Sequence, residues 1–423
     1  MIIEIATWLM YFVSVYFAVF LLLVVLDKGI SGYDYAVNNK KAYRWKPCIT
    51  VGIPAINEEQ TIRATMESVL NLHYPRNKMQ IIVVDDGSND KTPQIVRQVA
   101  REHPSVDIKF IQHSVNKGKG AALNTALHAA SGEIFICLDA DSFVQPNALT
   151  TILPYFYGRA TVASVLPFMK ITRTDNFMLK IQWVEYLMNF FLKRIMGALD
   201  CIHVTPGPFA SYRKEVLLKV GGFDEHNLTE DLEMAIRLQK YQYKIIQLLD
   251  AEVYTVPPDT LFRFYKQRNR WYKGTLQNLY KHRDLMFNRH YGEFGLFHLP
   301  MVLTSAILSL GFAFLILYQR FLQPAFTRLY DLSFIDFNMP LMLRVGAQRF
   351  NILDFNYTLL YLTVIIFAFA LMWIIGSHRY SKESYLHKGL VPSFFFLAVY
   401  PLILSIIWMG VFFDLIRNKR QKW

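Results

Sequence analysis

The chain has 423 residues, 53% of them hydrophobic and 15% aromatic, which is too apolar for an ordinary soluble domain of that length. Its formal charge of +12 would suit nucleic acid, yet there is no Arg/Lys-rich reading helix and no aromatic-basic repeat. The charges flank apolar runs, where attraction to anionic lipid accounts for them, and nucleic acid is excluded as a partner. Cys48, Cys137 and Cys201 are isolated, without paired spacing, so they read as inert thiols and not as disulfides or a zinc site.

In chain order, Ile5 to Leu26 is an uncharged run of the roughly 20 residues that cross a bilayer. It is long, lacks a preceding basic region and has no small-residue cleavage site, so it is expected to be an anchor and not a removed signal. Three further apolar segments follow, at about 299–318, 357–375 and 390–413. The expected division is an N-terminal membrane helix over 1–28, a catalytic domain over 29–260, interfacial helices over 261–295 and membrane helices over 296–423. Lys28, Lys40, Lys41, Arg44 and Lys46 follow the first span, and Lys281, His282, Arg283 and Arg289 precede the second. Basic residues accumulate on the inner side, which predicts a multi-pass protein of the plasma membrane with a cytoplasmic central domain. Single crossings throughout would put Arg417, Lys419, Arg420 and Lys422 outside. Pro392 and Pro401 can break the last segment, leaving a kinked or re-entrant element as the alternative.

From Pro47 to about Val256, short apolar runs alternate with helix-period segments, the pattern of an α/β domain with parallel strands. Candidate strands are Cys48 to Pro54, Gln80 to Val84, Asp107 to Gln112, Glu133 to Leu138 and Thr161 to Leu166. Asp85-Asp86-Gly87-Ser88 and Asp139-Ala140-Asp141 each follow a strand directly. In a parallel sheet both would open on the crevice at the strands' carboxyl ends.

Asp139 and Asp141 are two apart, which on extended backbone puts both carboxylates on one side, a donor set for Mg²⁺ or Mn²⁺ at a phosphate. A solvated turn is the alternative. Asp86 can accept hydrogen bonds from a base or ribose, while Ser88 or Asp90 caps the helix that starts near Lys91. Asn116-Lys117-Gly118-Lys119-Gly120 opens a helix, where glycine, the helix N-terminus and a lysine suit an anion; an ordinary turn reads equally well. Thr229-Glu230-Asp231 is a normal helix start with Thr229 as cap, or else Asp231 is a general base for an attacking hydroxyl. Gln267, Arg270 and Trp271 share one helical face, offering a phosphate-binding fork and an indole for a sugar ring; an interfacial helix is compatible with that.

Taken in this order, PAINEE (54–59), VVDDGS (83–88), NKGKGAALN (116–124), LDAD (138–141), TPGPFASYRKEVL (205–217), TED (229–231) and QRNRW (267–271) resemble the membrane-integrated family 2 glycosyltransferases. That group includes the cellulose, hyaluronan and poly-N-acetylglucosamine synthases. The resemblance implies a GT-A, Rossmann-like fold inserted between membrane helices, Mg²⁺ or Mn²⁺, and a UDP-sugar donor, UDP-GlcNAc or UDP-Glc. By matching motifs, Asp86, Lys119 and Asp139 would contact the nucleotide and Asp139 and Asp141 the metal, with Asp231 as base. Gln267, Arg268 and Arg270 would hold the diphosphate, and Trp271 and Glu230 the acceptor. Implied partners are the donor, a saccharide acceptor and the bilayer, with room for a small membrane subunit. The implied activity is inverting, processive extension of a β-linked polysaccharide coupled to export. Single transfer to a lipid acceptor is the alternative, and a non-catalytic transport or assembly subunit is disfavoured by the presence of Asp141 and Asp231. Ile56 stands where the family often has Tyr, and Gly207-Pro208-Phe209 is nearer the hyaluronan-synthase form, which blurs nucleotide and sugar identity. Gln319 to Asn356 matches nothing in the family.

Overall fold

The computed structural model describes residues 2–28, 39–334, 357–383 and 389–417. Lys419, Arg420 and Lys422 of the basic tail and most of the long 319–356 segment lie outside the described residues.

A first helix, α1 (Ile2–Lys28), and a short turn of helix, α2 (Lys40–Arg44), lead into the α/β domain. There β1 (Ile49–Ala55), α3 (Ile62–Leu70), β2 (Met79–Asp85), α4 (Thr92–Glu102), β3 (Asp107–Gln112), α5 (Lys119–Ala129) and β4 (Ile134–Cys137) alternate as expected. Strands β1, β2 and β4 are buried along their whole length and are predominantly apolar, whereas β3, at the sheet edge, is partly exposed. Pairing among these four is parallel, in the order β3-β2-β1-β4. Alternate residues of β2 serve opposite cores. Ile81 and Val83 pack with Ile62, Met66 and Val96 of α3 and α4, while Ile82 and Val84 pack with Ala122 and Leu127 of α5. The chain thus reverses direction across the sheet between β1 and β4, and the crevice at a parallel sheet's carboxyl edge opens at such a reversal. PAINEE leaves β1 there and LDAD leaves β4.

Beyond β4 the sheet departs from the sequence expectation. After β5 (Ser142–Val144), α6 (Ala148–Ile152), β6 (Val162–Ile171) and α7 (Phe177–Ala198) come β7 (Ala210–Arg213), α8 (Lys214–Lys219), α9 (Glu230–Lys240) and β8 (Lys244–Thr255). Strand β7 is inserted antiparallel between β4 and β6, β6 pairs parallel with β8, and β5 closes the far edge antiparallel to β8. Strands β5, β7 and β8 were not anticipated. Three or four residues, as in β5 and β7, are too few to display an alternation, while the 12-residue β8 is interrupted by Gln247, Asp250 and Glu252; the pairing of all three is long-range.

Asn176 caps α7 by accepting from the Leu179 N–H at 2.7 Å. The helix then lies between the sheet and the apolar helices, with Phe190 against Phe168 of β6 on one side and Trp183 against His378 on the other, at centroid separations of 5.1 Å in both cases. Next come α10 (Leu261–Lys281), α11 (Leu299–Leu317), α12 (Gln323–Phe334), α13 (Tyr357–Ser381), α14 (Leu390–Ala398) and α15 (Tyr400–Ile416). Among the described residues, three helices are long and apolar enough to cross a membrane: Glu4–Asp27, Phe294–Leu317 and Leu360–Ser381. The last apolar segment is a pair, α14 and α15, bent by 45°, and would be a fourth span if taken as one. The break falls at Val399, and Pro401 sits in the first turn of α15, where its missing N–H costs nothing.

Candidate active site

An open cleft at the β1–β4 reversal, with about 890 Å³ of empty space, is lined by three groups of residues. Its floor carries Glu58, Lys119, Asp139 and Asp141, one wall Pro206-Gly207-Pro208 with Asp231, and the opposite wall Gln267, Arg270 and Trp271. Residues nearly 220 positions apart in the chain therefore meet, because the sheet gathers loop ends and α10 folds back over them.

Lys119 is the organising charge of the floor. Gly118, at φ 96°, turns the chain so that Lys119 begins α5, and its Nζ lies 2.7 Å from Asp139 Oδ1 and 3.2 Å from Glu230 Oε1. Burial opposes that charge, but Asp139, Glu230 and Asp231 outweigh it and hold the lysine protonated. Gly207 closes over this pair: a Cβ there would lie 2.7 Å from both Asp139 Oδ1 and Lys119 Nζ, so the position has no room for a side chain. Two residues on, Phe209 is held at φ 59° while fully buried, a left-handed conformation that an aromatic residue adopts only under constraint from its surroundings.

The acids are perturbed in a consistent direction. Asp141 is pushed up to about 7, first by burial and then by Asp139 and Glu58, with the Ser142 hydroxyl and Lys119 opposing. Asp231 is pushed up to about 6 by burial and by Glu230, while Lys119, the Leu232 N–H and Arg270 pull it down. Glu58 is raised by burial, and Asp139 is among the charges acting on it. A divalent cation fits this set. Asp139 Oδ1 is buried with no hydrogen bond of acceptable angle, its 2.7 Å approach to Lys119 being an ion pair only, and Asp141 is destabilised as an anion by its neighbours. Among the described residues no three His, Cys, Asp or Glu side chains form a closed cage, so ligands beyond the two aspartates would have to come from a bound phosphate.

The structure brings Lys119, Asp139, Asp141, Asp231, Gln267, Arg270 and Trp271 to one cleft, and it sends three expected site residues elsewhere. Asp86, expected at the nucleotide, is 1% exposed. His113 Nδ1 lies 2.7 Å from its Oδ1, the Lys117 N–H donates to the same oxygen at 3.0 Å, and the Gly118 N–H donates to Oδ2 at 2.7 Å. Its work is to pin the turn that starts α5, because a positive-φ glycine aims successive N–H groups at a carboxylate. Glu230, expected at the acceptor, is buried against Lys119. Arg268, expected on the diphosphate, is 1% exposed and points away from the cleft. Its Nε and Nη2 donate to the two oxygens of Glu185, and its guanidinium lies between the Phe264 and Trp271 rings, 4.6 and 4.0 Å from their centroids. On a helix, position 268 points about 100° from 267 and roughly opposite 270, so these residues cannot all face one cleft. Arg268 still shapes the wall: Nη1 donates to Gln267 Oε1, which leaves the Gln267 amide NH₂ as the group free to face the site.

Several contributors were not singled out from the sequence. Asn57, at φ 55°, and hydrogen bonds between the 57–59 and 88–92 turns, including Glu58 N–H to Thr92 Oγ1 at 2.8 Å, fix Glu58 at the floor. Its acidic neighbour in PAINEE masked it. Glu185 is the one charged residue in the apolar stretch 181–192, which is itself a sign that a buried partner exists. Thr229 does sit at the N-cap of α9, but its side chain makes no cap bond; Oγ1 accepts instead from Asn278 Nδ2 of α10 at 3.0 Å. Asp90, expected as the cap, stands one residue before the N-cap Lys91 and accepts from the Thr92 N–H at 2.9 Å.

A mixed sheet of this topology, with a carboxylate pair at the strand reversal and a buried acid opposite, defines a GT-A-type domain of the kind that handles nucleotide sugars. Residues 50–221 match the family described as Glycosyl transferase family 2, and the protein is a glycosyltransferase carrying a domain of that type. It is 28% identical over 354 residues to poly-beta-1,6-N-acetyl-D-glucosamine synthase of Staphylococcus epidermidis, covering 83% of this chain and 78% of that protein. It is also 28% identical over 246 residues to beta-monoglucosyldiacylglycerol synthase of Trichormus variabilis, covering 58% of this chain and 53% of the relative. Among solved structures, the mannosyltransferase PcManGT from Pyrobaculum calidifontis, in complex with GDP-Man and Mn²⁺, superimposes over 99% of both chains with a TM-score of 0.65 and 18% identity, a likeness of fold.

Proposed function

We propose that the protein is an inverting, processive glycosyltransferase of the plasma membrane that extends a β-linked polysaccharide from UDP-GlcNAc or UDP-Glc and passes it outward. The observation that carries this reading is the convergence on one cleft of Asp231, the Asp139–Asp141 pair and a helix face bearing Gln267, Arg270 and Trp271. Its support on the substrate side is the 28% identity, across most of both chains, to a poly-β-1,6-GlcNAc synthase.

In this mechanism Asp231, raised toward neutrality, accepts the proton of an acceptor hydroxyl as that oxygen attacks the anomeric carbon, and the sugar–phosphate bond breaks on the opposite side. Arg270 and the Gln267 amide receive the charge that grows on the departing diphosphate. A divalent cation held by Asp139 and Asp141 would neutralise the diphosphate. Trp271 offers its ring to the acceptor sugar, and Arg268 stiffens that ring from beneath. The basic residues Lys40, Lys41 and Arg44, near the end of α1, and Lys281, Arg283 and Arg289, ahead of α11, support a cytoplasmic position for the domain.

Single transfer to a lipid acceptor is the second reading, favoured by the similarity to a glucosyldiacylglycerol synthase. Incubating purified protein and Mn²⁺ with individual UDP- and GDP-sugars, with nucleotide release and product mass as readouts, separates these. A ladder of products from a UDP-sugar is expected, and one sugar on lipid, or turnover from GDP-sugars alone, would displace the processive UDP reading. Asp231→Asn should abolish turnover and leave UDP binding within about threefold, since only the base is lost.

A further inference from the structure

Helix α10 has a cleft face and a second face that meets the membrane end of the chain. Tyr265, Asn269, Tyr272 and Lys273 follow a helical spacing that forms one stripe, and all four touch α15. Lys273 Nζ lies 2.6 Å from Asp414 Oδ2, and Asn269 Nδ2 donates to the same oxygen at 3.3 Å. Asn269 and Lys273 are 0% and 3% exposed, so neither contact is a loose surface pair. The Tyr272 ring stacks on Trp408 at 4.5 Å with 8° between planes. At Gly410 a Cβ would fall on the Tyr265 hydroxyl and 3.1 Å from two ring carbons, so the helices touch where no side chain intervenes.

Asp414 is the single charged residue between Leu390 and Ile416. An acid in so apolar a helix is disfavoured unless a partner holds it, and here the partner belongs to the helix that carries the site. Apolar packing alone would hold α10 near α15 without deciding its rotation. Two hydrogen-bonding donors converging on one carboxylate oxygen do decide it. A rotation of α10 by about 20° would sweep a side-chain tip through about 2 Å, given a helix radius with side chains of about 5–6 Å. Gln267, Arg270 and Trp271 would all move together.

We propose that Asp414 is a positioning residue for glycosyl transfer, holding Lys273 and Asn269 on α15 so that Gln267, Arg270 and Trp271 stand in register with Asp231. This rests on reading the cleft as the nucleotide-sugar site. The last apolar helix then belongs to the active site and is more than an anchor.

The test uses the full chain in lipid nanodiscs, with UDP as the probe. Asp414→Asn leaves Lys273 unpaired, so the informative variant is the double Lys273→Met/Asp414→Leu, which buries no lone charge. It is expected to melt like the native protein yet bind UDP at least tenfold more weakly, with KM for the sugar nucleotide raised to match; Asp414→Glu should recover to within about threefold. A double variant that melts like the native protein and keeps its UDP affinity and KM would overturn the inference. A ligand-free readout separates this from failure of the cleft reading: spin labels at the exposed positions Lys266→Cys and Lys91→Cys, in a Cys48→Ser background, report the placement of α10. An altered label distance in the double variant supports the positioning role even if the native protein binds no nucleotide. An unchanged distance refutes it whatever the protein binds.

Discussion

Gly274→Ala is the most exposed consequence of how α10 meets α9. Alanine is the better helix former by about 1 kcal/mol, so the helix taken alone should gain. In the fold, a Cβ at 274 would lie 2.5 Å from Thr229 Cγ2 and 2.9 Å from Thr229 Cβ, and nearer still to Oγ1. Carbon atoms in contact sit about 3.5–4.0 Å apart, so the two helices must separate by roughly 1 Å. Thr229 cannot simply rotate aside, because Oγ1 accepts from Asn278 Nδ2 at 3.0 Å and its own Cβ is part of the obstruction. The overpacking should cost about 1–3 kcal/mol of stability. Its kinetic cost is of comparable size. Gly274 lies one turn from Arg270 and Trp271, and Thr229 lies two residues from Asp231, so the shift falls between the base and the wall that faces it. A displacement of about 1 Å in such a constellation is worth about 10² in rate. Sugar-nucleotide turnover by purified Gly274→Ala, with melting temperature as a control for folding, should show kcat down about 10²-fold in a folded protein. Adding Thr229→Ala, which removes Oγ1 and Cγ2, should recover about tenfold of the loss, a partial rescue because the Cβ remains. Native kcat in a folded Gly274→Ala protein would refute the view that the α9–α10 spacing sets catalysis.

Four further outcomes are expected. Because Asp231 must be ionised to act and is pushed up to about 6, kcat/KM should fall about tenfold per pH unit below about 6. A rate that stays flat down to pH 5 argues for another base. The same shift has a stability sign: the folded value is raised, so the contribution of Asp231 is present below its unfolded value and lost as pH rises through about 6. Asp231→Asn should therefore melt higher than the native protein at pH 7, a comparison that calorimetry can make. Asp141, pushed up to about 7, must release a proton to hold a cation, so Mn²⁺ affinity measured with UDP present should rise up to about tenfold between pH 6 and 7 and then level. A profile without that rise would remove Asp141 from metal binding. Arg268→Met should cost about 3–5 kcal/mol, since it leaves Glu185 buried and alone, and Glu185→Gln in the same chain should restore much of it. Thermal melting without such rescue would mean the pair is not coupled.

How far the site could be read in advance depended on distance along the chain. Asp139 and Asp141 announce themselves because they follow an apolar run directly and sit two apart, and the strand that ends there is where the run places it. Gln267, Arg270 and Trp271 are legible for the same reason, since helical spacing alone puts them on one face. The same spacing turns Arg268 off that face, although the motif match assigned it to the diphosphate, and its burial on Glu185 follows once α7 lies across the back of α10. Asp86 is ambiguous in sequence for a different reason. A carboxylate at a strand end has the right chemistry for a ribose or for a backbone turn, and which it meets depends on how the Lys117–Gly118 N–H groups are aimed.

Local chemistry in the amino-acid order was enough to establish an α/β domain between apolar helices, the parallel half of the sheet and the acids of one edge, and it left a break in the last apolar segment as an alternative. These are short-range properties: periodicity of two or 3.6 residues, a proline without its N–H, a lysine beside an apolar run. Which acids share a charge, which arginine faces the cleft and which membrane helix grips α10 required the chain to be closed on itself. Lys119 holds Asp139 from the next strand's end and Glu230 from more than a hundred residues further along the sequence, and Lys273 meets Asp414 across a gap comparable to the second. Contacts of that range carry no periodic signal, and they exist only once the sheet, α7 and α15 have been packed around them.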